Sequence, residues 1–155
     1  NEKQVDNILV AYSPDRMFDT PEEYLNWYPG DEYVDIMGVD NYWDFTQNRL
    51  DLVVKRLEIV ADVAAAHGKI PAFTETGNER LSTPNWYTSN LLHVLNASEK
   101  TRQMAYVMVW RNHDTTHFYA PYPEHPQADD FRAFVASDNI VLLNELLELE
   151  KNNKK

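Results

Sequence analysis

Cysteine is absent from the 155 residues, which excludes disulfides, thiolate metal sites and a cysteine nucleophile, and leaves the redox compartment open. Glycine occurs only four times, and no candidate strand ends in the Gly-rich loop that cradles phosphate groups. No apolar run reaches the roughly 18 residues of a membrane span. Basic charge is also scarce. With 14 Lys+Arg against 25 Asp+Glu the formal net charge is −11, an excess that repels phosphate backbones and anionic lipid headgroups. Without a basic patch to offset it, nucleic-acid and membrane-surface binding are disfavoured. The opening Asn1–Asp6 is polar and shows no signal peptide, a segment whose removal would leave no trace. What is present is a globular composition of 43% hydrophobic and 12% aromatic residues, in a length that supports one domain with its own core.

Four apolar runs, Ile8–Tyr12, Val34–Val39, Ile70–Phe73 and Ala105–Trp110, alternate with helical patterns at the spacing of βα units. Each run is nearly continuous in apolar residues, as in parallel strands covered on both faces. The pattern predicts four adjacent parallel strands in chain order, with helices on the outer face. Thr20-Pro21-Glu22-Glu23 carries an N-cap, a proline at the first helical position and an acid three residues after the cap, so a short helix should run to about Tyr28. The clearest helix is Asn48 to His67, with Leu50, Val53, Leu57, Val60, Ala61 and Ala64 on one face and Gly68 as C-cap. A third should cover Trp86–Asn96. One or two more should follow from Ala128, the last burying Leu142, Leu143, Leu146, Leu147 and Leu149 against the sheet before a frayed Lys151–Lys155 tail.

In parallel α/β folds the ligand site forms outside the carboxyl ends of the strands. Here those ends are polar and aromatic: Tyr12-Ser13-Pro14-Asp15-Arg16, Asp40-Asn41-Tyr42-Trp43-Asp44, Thr74-Glu75-Thr76-Gly77 and Trp110-Arg111-Asn112-His113-Asp114. The expectation is that Tyr12, Tyr42, Glu75 and Trp110 gather at one end of the sheet. A strand-end carboxylate among Tyr and Trp rings suits glycoside chemistry, in which aromatic planes stack on sugars and a carboxylate attacks or stabilises an oxocarbenium centre. Each residue also has a plainer reading. Glu75 could cap a turn, Tyr42, Trp43 and Trp110 could be packing aromatics, and Asp40 could be a structural acceptor. His113 and His117 with Asp114 lie at metal-compatible spacing, but a zinc site needs three well-placed ligands and nothing else in the sequence supports one, so no metal is expected. Asn96-Ala97-Ser98 matches a glycosylation sequon, a pattern common by chance.

The motifs AYSPD (11–15), YPGDEYVDIMGVDNY (28–42), FTETG (73–77), VWRN (109–112) and PYPEHP (121–126) together make the chain similar to the second half of glycoside hydrolase family 26, mostly β-mannanases. The resemblance covers almost the whole chain and implies an α/β fold: residues 1–155 as the C-terminal half, about four βα units, of a (β/α)8 barrel whose N-terminal half is not in this chain. It implies a retaining hydrolase of internal β-1,4-mannosidic bonds, with Glu75 as nucleophile and Tyr42 orienting it. Trp110 would floor the subsite of the attacked sugar, Arg111 and Asn112 would line the glycone side, and Trp43 and Asp40 would contact or support the substrate. The family's acid/base glutamate lies in a His-Glu stretch that has no counterpart here, so this chain alone should be inactive. No cofactor is implied. The partners implied are β-mannan or manno-oligosaccharide and the N-terminal half of the barrel, and the implied location is extracellular, periplasmic or cell-surface. Some family members act on mixed-linkage glucan or xylan. A non-catalytic carbohydrate-binding half-barrel using Tyr42, Trp43 and Trp110 as a platform, and a flavodoxin-like phosphate binder, are the rival readings.

Overall fold

The structure, a computed structural model, describes residues 7–153. The polar opening Asn1–Asp6 and the last two lysines lie outside the described residues.

Strands β1 (Ala11–Tyr12), β2 (Ile36–Met37) and β3 (Ile70–Pro71) pair in parallel, with Ala11, Ile36 and Ile70 on one rung. Strand β4 (Phe73–Thr76) pairs in parallel with β5 (Val107–Val109) through a register irregularity. Only Ala72 separates β3 from β4, and hydrogen bonds to the β2 segment continue through it: Ile70 N to Asp35 O at 3.2 Å, Ala72 N to Met37 O at 2.9 Å and Glu75 N to Val39 O at 3.3 Å. The two pieces therefore form one bent strand, and the order is four adjacent parallel strands in chain order, as the apolar runs predict. The strands are shorter than those runs. Ile8, Leu9 and Val10 precede β1 exposed, because among the described residues no strand lies on its outer side, and Val10 N–H donates to the Asp35 carboxylate instead.

Between the strands lie α1 (Pro21–Tyr24), α2 (Trp43–Thr46) and α3 (Leu50–His67). Thr20 Oγ1 accepts from Glu23 N–H and the Glu23 carboxylate accepts from Asp19 N–H, a reciprocal cap for α1. A 3-10 turn, Leu25–Trp27, finishes that helix. α3 buries Val53, Leu57, Val60, Ala61 and Ala64 as its periodicity predicts, and Gly68 at φ 64° ends it in the left-handed region, where a side chain is strained. It starts two residues later than expected, because Asn48 has a positive φ of 52°. α2 was not apparent from the sequence: four residues are too few for a hydrophobic period.

The predicted helix at 86–96 is a π-helical turn, Tyr87–Leu92, running into α4 (His93–Leu95), with Trp86, Tyr87, Leu91 and Val94 buried. Two helices close the chain, α5 (Ala128–Val135) and α6 (Leu143–Asn153). The expectation that the last helix buries its leucines is corrected: Leu142, Leu143, Leu146 and Leu147 are all exposed, Leu143 at 72%. The segment Lys151–Asn153 is helical rather than frayed, and the Leu149 side chain lies outside the described residues.

The core lies between the sheet and α1, α3, α4 and α5, where Trp86, Tyr24, Tyr87, Phe73, Met37 and Leu57 are fully buried. Gly38 is required by close approach, since a Cβ there would stand 2.2 Å from Thr74 Cγ2. Tyr12 is the last residue of β1, but its side chain belongs to this layer. Its hydroxyl donates to Tyr24 O at 2.7 Å and its ring meets Tyr24 and Tyr28 edge-on, three residues before the strand-end rung, so its expected place at the rim is corrected.

Candidate active site

The backbone brings three carboxylates side by side. Asp15, Asp40 and Glu75 form parallel bridges on one rung just beyond β1, in β2's extension and in β4. Asp40 N–H donates to Pro14 O at 2.9 Å, Asn41 N–H to Glu75 O at 3.1 Å and Trp110 N–H to Thr76 O at 3.0 Å. The carboxyl ends of all four strands are thereby fixed in one row, with Tyr42, Glu75 and Trp110 together at one end of the sheet.

Glu75 is half-buried, and the Tyr42 hydroxyl donates to its Oε1 at 2.9 Å. Burial, then that hydrogen bond and the nearby carboxylates Glu75 and Asp40, raise the Tyr42 phenol well above its ordinary value, so it stays a neutral donor at any working pH. The Tyr42 ring is held edge-on by Tyr119 at 5.8 Å. Tyr119 is itself buried, accepts from Tyr87 Oη at its carbonyl, and packs over Gly77, where a Cβ would sit 2.4 Å from its Cδ1. Asn112 Oδ1 accepts from the N–H groups of Tyr119 and Ala120, and its Nδ2 donates to Ala120 O. Asn112 thus ties the loop after β5 into the shape that places Tyr119 against Tyr42. Tyr119 and Gly77 went unnoticed in the sequence as site residues, because nothing in the spacing links position 119 to position 42.

Asp40 lies between Glu75 and Asp15. Burial first, then the charges of Glu75 and Asp15, push its carboxyl up to about 6. An unfolded aspartate titrates near about 3.9. A raised folded value means that the stability gained from proton binding is complete below about pH 4 and is lost as the pH rises through about 6. Asp40→Asn abolishes this titration, so the denaturation midpoint of the variant relative to the parent should climb between about pH 4 and about pH 7. A constant offset across that range would show that the Asp40 carboxyl is not raised.

Asp44 is not available at the rim. It is fully buried, bonded to Asn41 Nδ2 at 2.9 Å and ion-paired with the buried Arg56 of α3, while Arg16 stands 3.8 Å from its other oxygen. Arg16 also lies over the Trp43 indole, 5.8 Å from the ring centroid, and Trp43 is 54% exposed. Trp110 is half-buried and Arg111 is exposed. His117 Nδ1 is 2.9 Å from the Glu79 carboxylate, and Asp114 Oδ1 accepts from Thr116 and His117 within its own turn. Among the described residues no three His, Asp or Glu side chains converge as a metal site.

The chain matches the profile of "Glycosyl hydrolase family 26" over residues 1–119. A mannan endo-1,4-beta-mannosidase of Bifidobacterium adolescentis is 31% identical over 92% of this chain, which spans 16% of that protein. Among solved structures, a GH26 beta-mannanase from Bacteroides ovatus is 40% identical with a TM-score of 0.84, over 92% of this chain and 41% of that one. GH26C from Muricauda sp. MAR_2010_75 is 37% identical with the same TM-score, over 94% of this chain and 40% of its own. The chain therefore spans less than half the length of each of these relatives, and its α/β fold is that of the matching part of the two structures.

Proposed function

The chain belongs to glycosyl hydrolase family 26, and from that membership we propose that it supplies the nucleophile half of a retaining endo-β-1,4-mannanase. The observation that carries the proposal is the 2.9 Å hydrogen bond from Tyr42 to Glu75 at the carboxyl ends of the parallel strands. In the first step a Glu75 oxygen attacks the anomeric carbon, the glycosidic bond breaks, and a proton passes to the leaving oxygen. In the second step water displaces Glu75 and gives up a proton, releasing the sugar with its original anomeric configuration. Tyr42 orients the carboxylate, so that one oxygen is held while the other attacks.

Trp110 floors the attacked sugar, Arg111 reaches the glycone side, and Asn112 acts there through the loop it ties. Trp43 offers an exposed aromatic face, and Asp40 supports Glu75 from the neighbouring strand. The proton donor comes from outside residues 1–155: retention needs two carboxyl groups roughly 5–5.5 Å apart on either side of the bond, and Asp44 is sealed in its ion pair.

The N-terminal half of the barrel is the proposed protein partner. Apolar side chains stand exposed beside β1, with Met17 in the open and Trp27 88% exposed, and an apolar groove of about 560 Å³ lies between β5 and helices α5 and α6. Both are where the flanking units of a closed barrel would sit. A polymeric substrate places the activity outside the cytoplasm.

Release of reducing ends from β-mannan by the complete barrel tests the proposal. Tyr42→Phe removes one hydrogen bond to a charged group and should lower kcat by about tenfold to a hundredfold, with KM little changed. A loss as large as that from removing Glu75 would assign Tyr42 a direct part in the chemistry. Hydrolysis of mixed-linkage glucan or xylan with no action on mannan would keep the reaction and change the sugar.

A further inference from the structure

Trp43 opens α2 one residue after Tyr42, and the two side chains part there. Tyr42 reaches across to Glu75 of β4 and to Tyr119 from the loop after β5. The Trp43 indole instead lies against Arg16, on the segment that follows β1. Arg16 is anchored on both sides of this contact. Its N–H donates to Asp40 O at 3.0 Å and to the Asp15 carboxylate at 2.8 Å, and its Nη1 stands 3.8 Å from Asp44 Oδ1. That oxygen is buried and accepts no hydrogen bond among the described residues, since Asn41 and Arg56 both serve Oδ2. The guanidinium is therefore held by a buried carboxylate that needs it, and its flat cation in turn holds one face of an otherwise exposed indole.

In strand order the nucleophile's strand stands between β5, which is followed by Trp110, and the β2 segment, whose extension through Asp40 leads into Trp43 at the start of α2. A linear glycan cleaved over Glu75 must extend in both directions from that point. With Trp110 beneath the attacked sugar, the opposite side belongs to the sugar that leaves. We propose that Trp43 is the stacking platform for the leaving-group sugar and that Arg16 is the positioning residue that holds it there. The inference rests on the hydrolase reading above.

The test uses the complete barrel and compares two substrates by kcat/KM: mannotetraose, which leaves a sugar on the Trp43 side, and mannobiosyl fluoride, whose leaving group has no ring to stack. The ratio of the first to the second should fall about tenfold in Trp43→Ala and nearly as far in Arg16→Ala, with the double variant no lower than Trp43→Ala. Arg16→Lys keeps a charge facing Asp44 but loses the planar stack, so it should restore the denaturation midpoint more fully than the ratio. Equal losses on both substrates, or effects of the two single substitutions that multiply, would overturn the proposal. An unsubstituted barrel that cleaves neither substrate would overturn the hydrolase reading instead.

Discussion

Replacing Glu75 by alanine in the complete barrel should lower kcat on β-mannan by at least about a thousandfold, a loss of roughly 4 kcal/mol of transition-state stabilisation. The size follows from the chemistry. Without the carboxylate no glycosyl-enzyme bond can form, and water would have to displace the leaving oxygen directly from a site shaped for a side-chain nucleophile. The substitution should leave the fold intact, because Glu75 contributes to the sheet through its backbone, with N–H to Val39 O and C=O from Asn41 N–H, and its side chain is bonded to Tyr42 at the sheet end. A slowly turned over 2-fluoro mannoside should label the parent enzyme at Glu75, found as one modified peptide by mass spectrometry. If the variant kept a tenth of the parental rate on an activated aryl mannoside, or the label fell on another residue, Glu75 would not be the nucleophile.

The second large effect is complete loss in the other direction: residues 1–155 alone should release no reducing ends from mannan. The rung Asp15, Asp40 and Glu75 lies along the carboxyl ends of the parallel strands. In the proposed mechanism the acid/base carboxyl stands across from that rung and is supplied from outside this chain. The exposed apolar flanks at Trp27 and Met17 on one edge, and at the groove beside β5 on the other, should make the free chain associate with itself or with the proposed N-terminal half. Mixing it with a chain that carries the first four βα units should restore both a compact particle by size exclusion and mannan cleavage. Full activity from a monodisperse monomer of this chain would overturn the account. Asp40, whose carboxyl is already raised to about 6, would then become the acid to test, since Asp44 is locked to Arg56.

Both predictions rest on positions that were legible in the sequence to different degrees. The four strands and α3 announce themselves because burial leaves a periodic mark. Val53, Leu57, Val60 and Ala64 recur at helical spacing, and strands buried on both faces read as unbroken apolar runs. Parallel order then follows from βα alternation, and with it the expectation that polar strand ends gather on one side, which placed Tyr42, Glu75 and Trp110 together before any coordinate and misplaced the side chain of Tyr12.

Contacts between segments far apart in the chain leave no such mark. The Tyr42–Tyr119 pair spans 77 positions, and the contact of Gly77 with Tyr119 spans 42. Whether Asp44 is an acid at the rim or a buried partner of Arg56 depends on how α3 lies against α2. The last helix shows the converse failure: Leu142, Leu143, Leu146 and Leu147 have the period of a buried face yet stand exposed, because periodicity records that a face seeks a partner and not whether this chain contains one. Sequence alone determined the four strands, α3, their order and which polar and aromatic residues follow each strand, because those follow from local patterns along the chain. Tertiary structure alone decided which carboxylate is held, which is sealed and which is raised, because these depend on distances and desolvation between residues that meet only after folding.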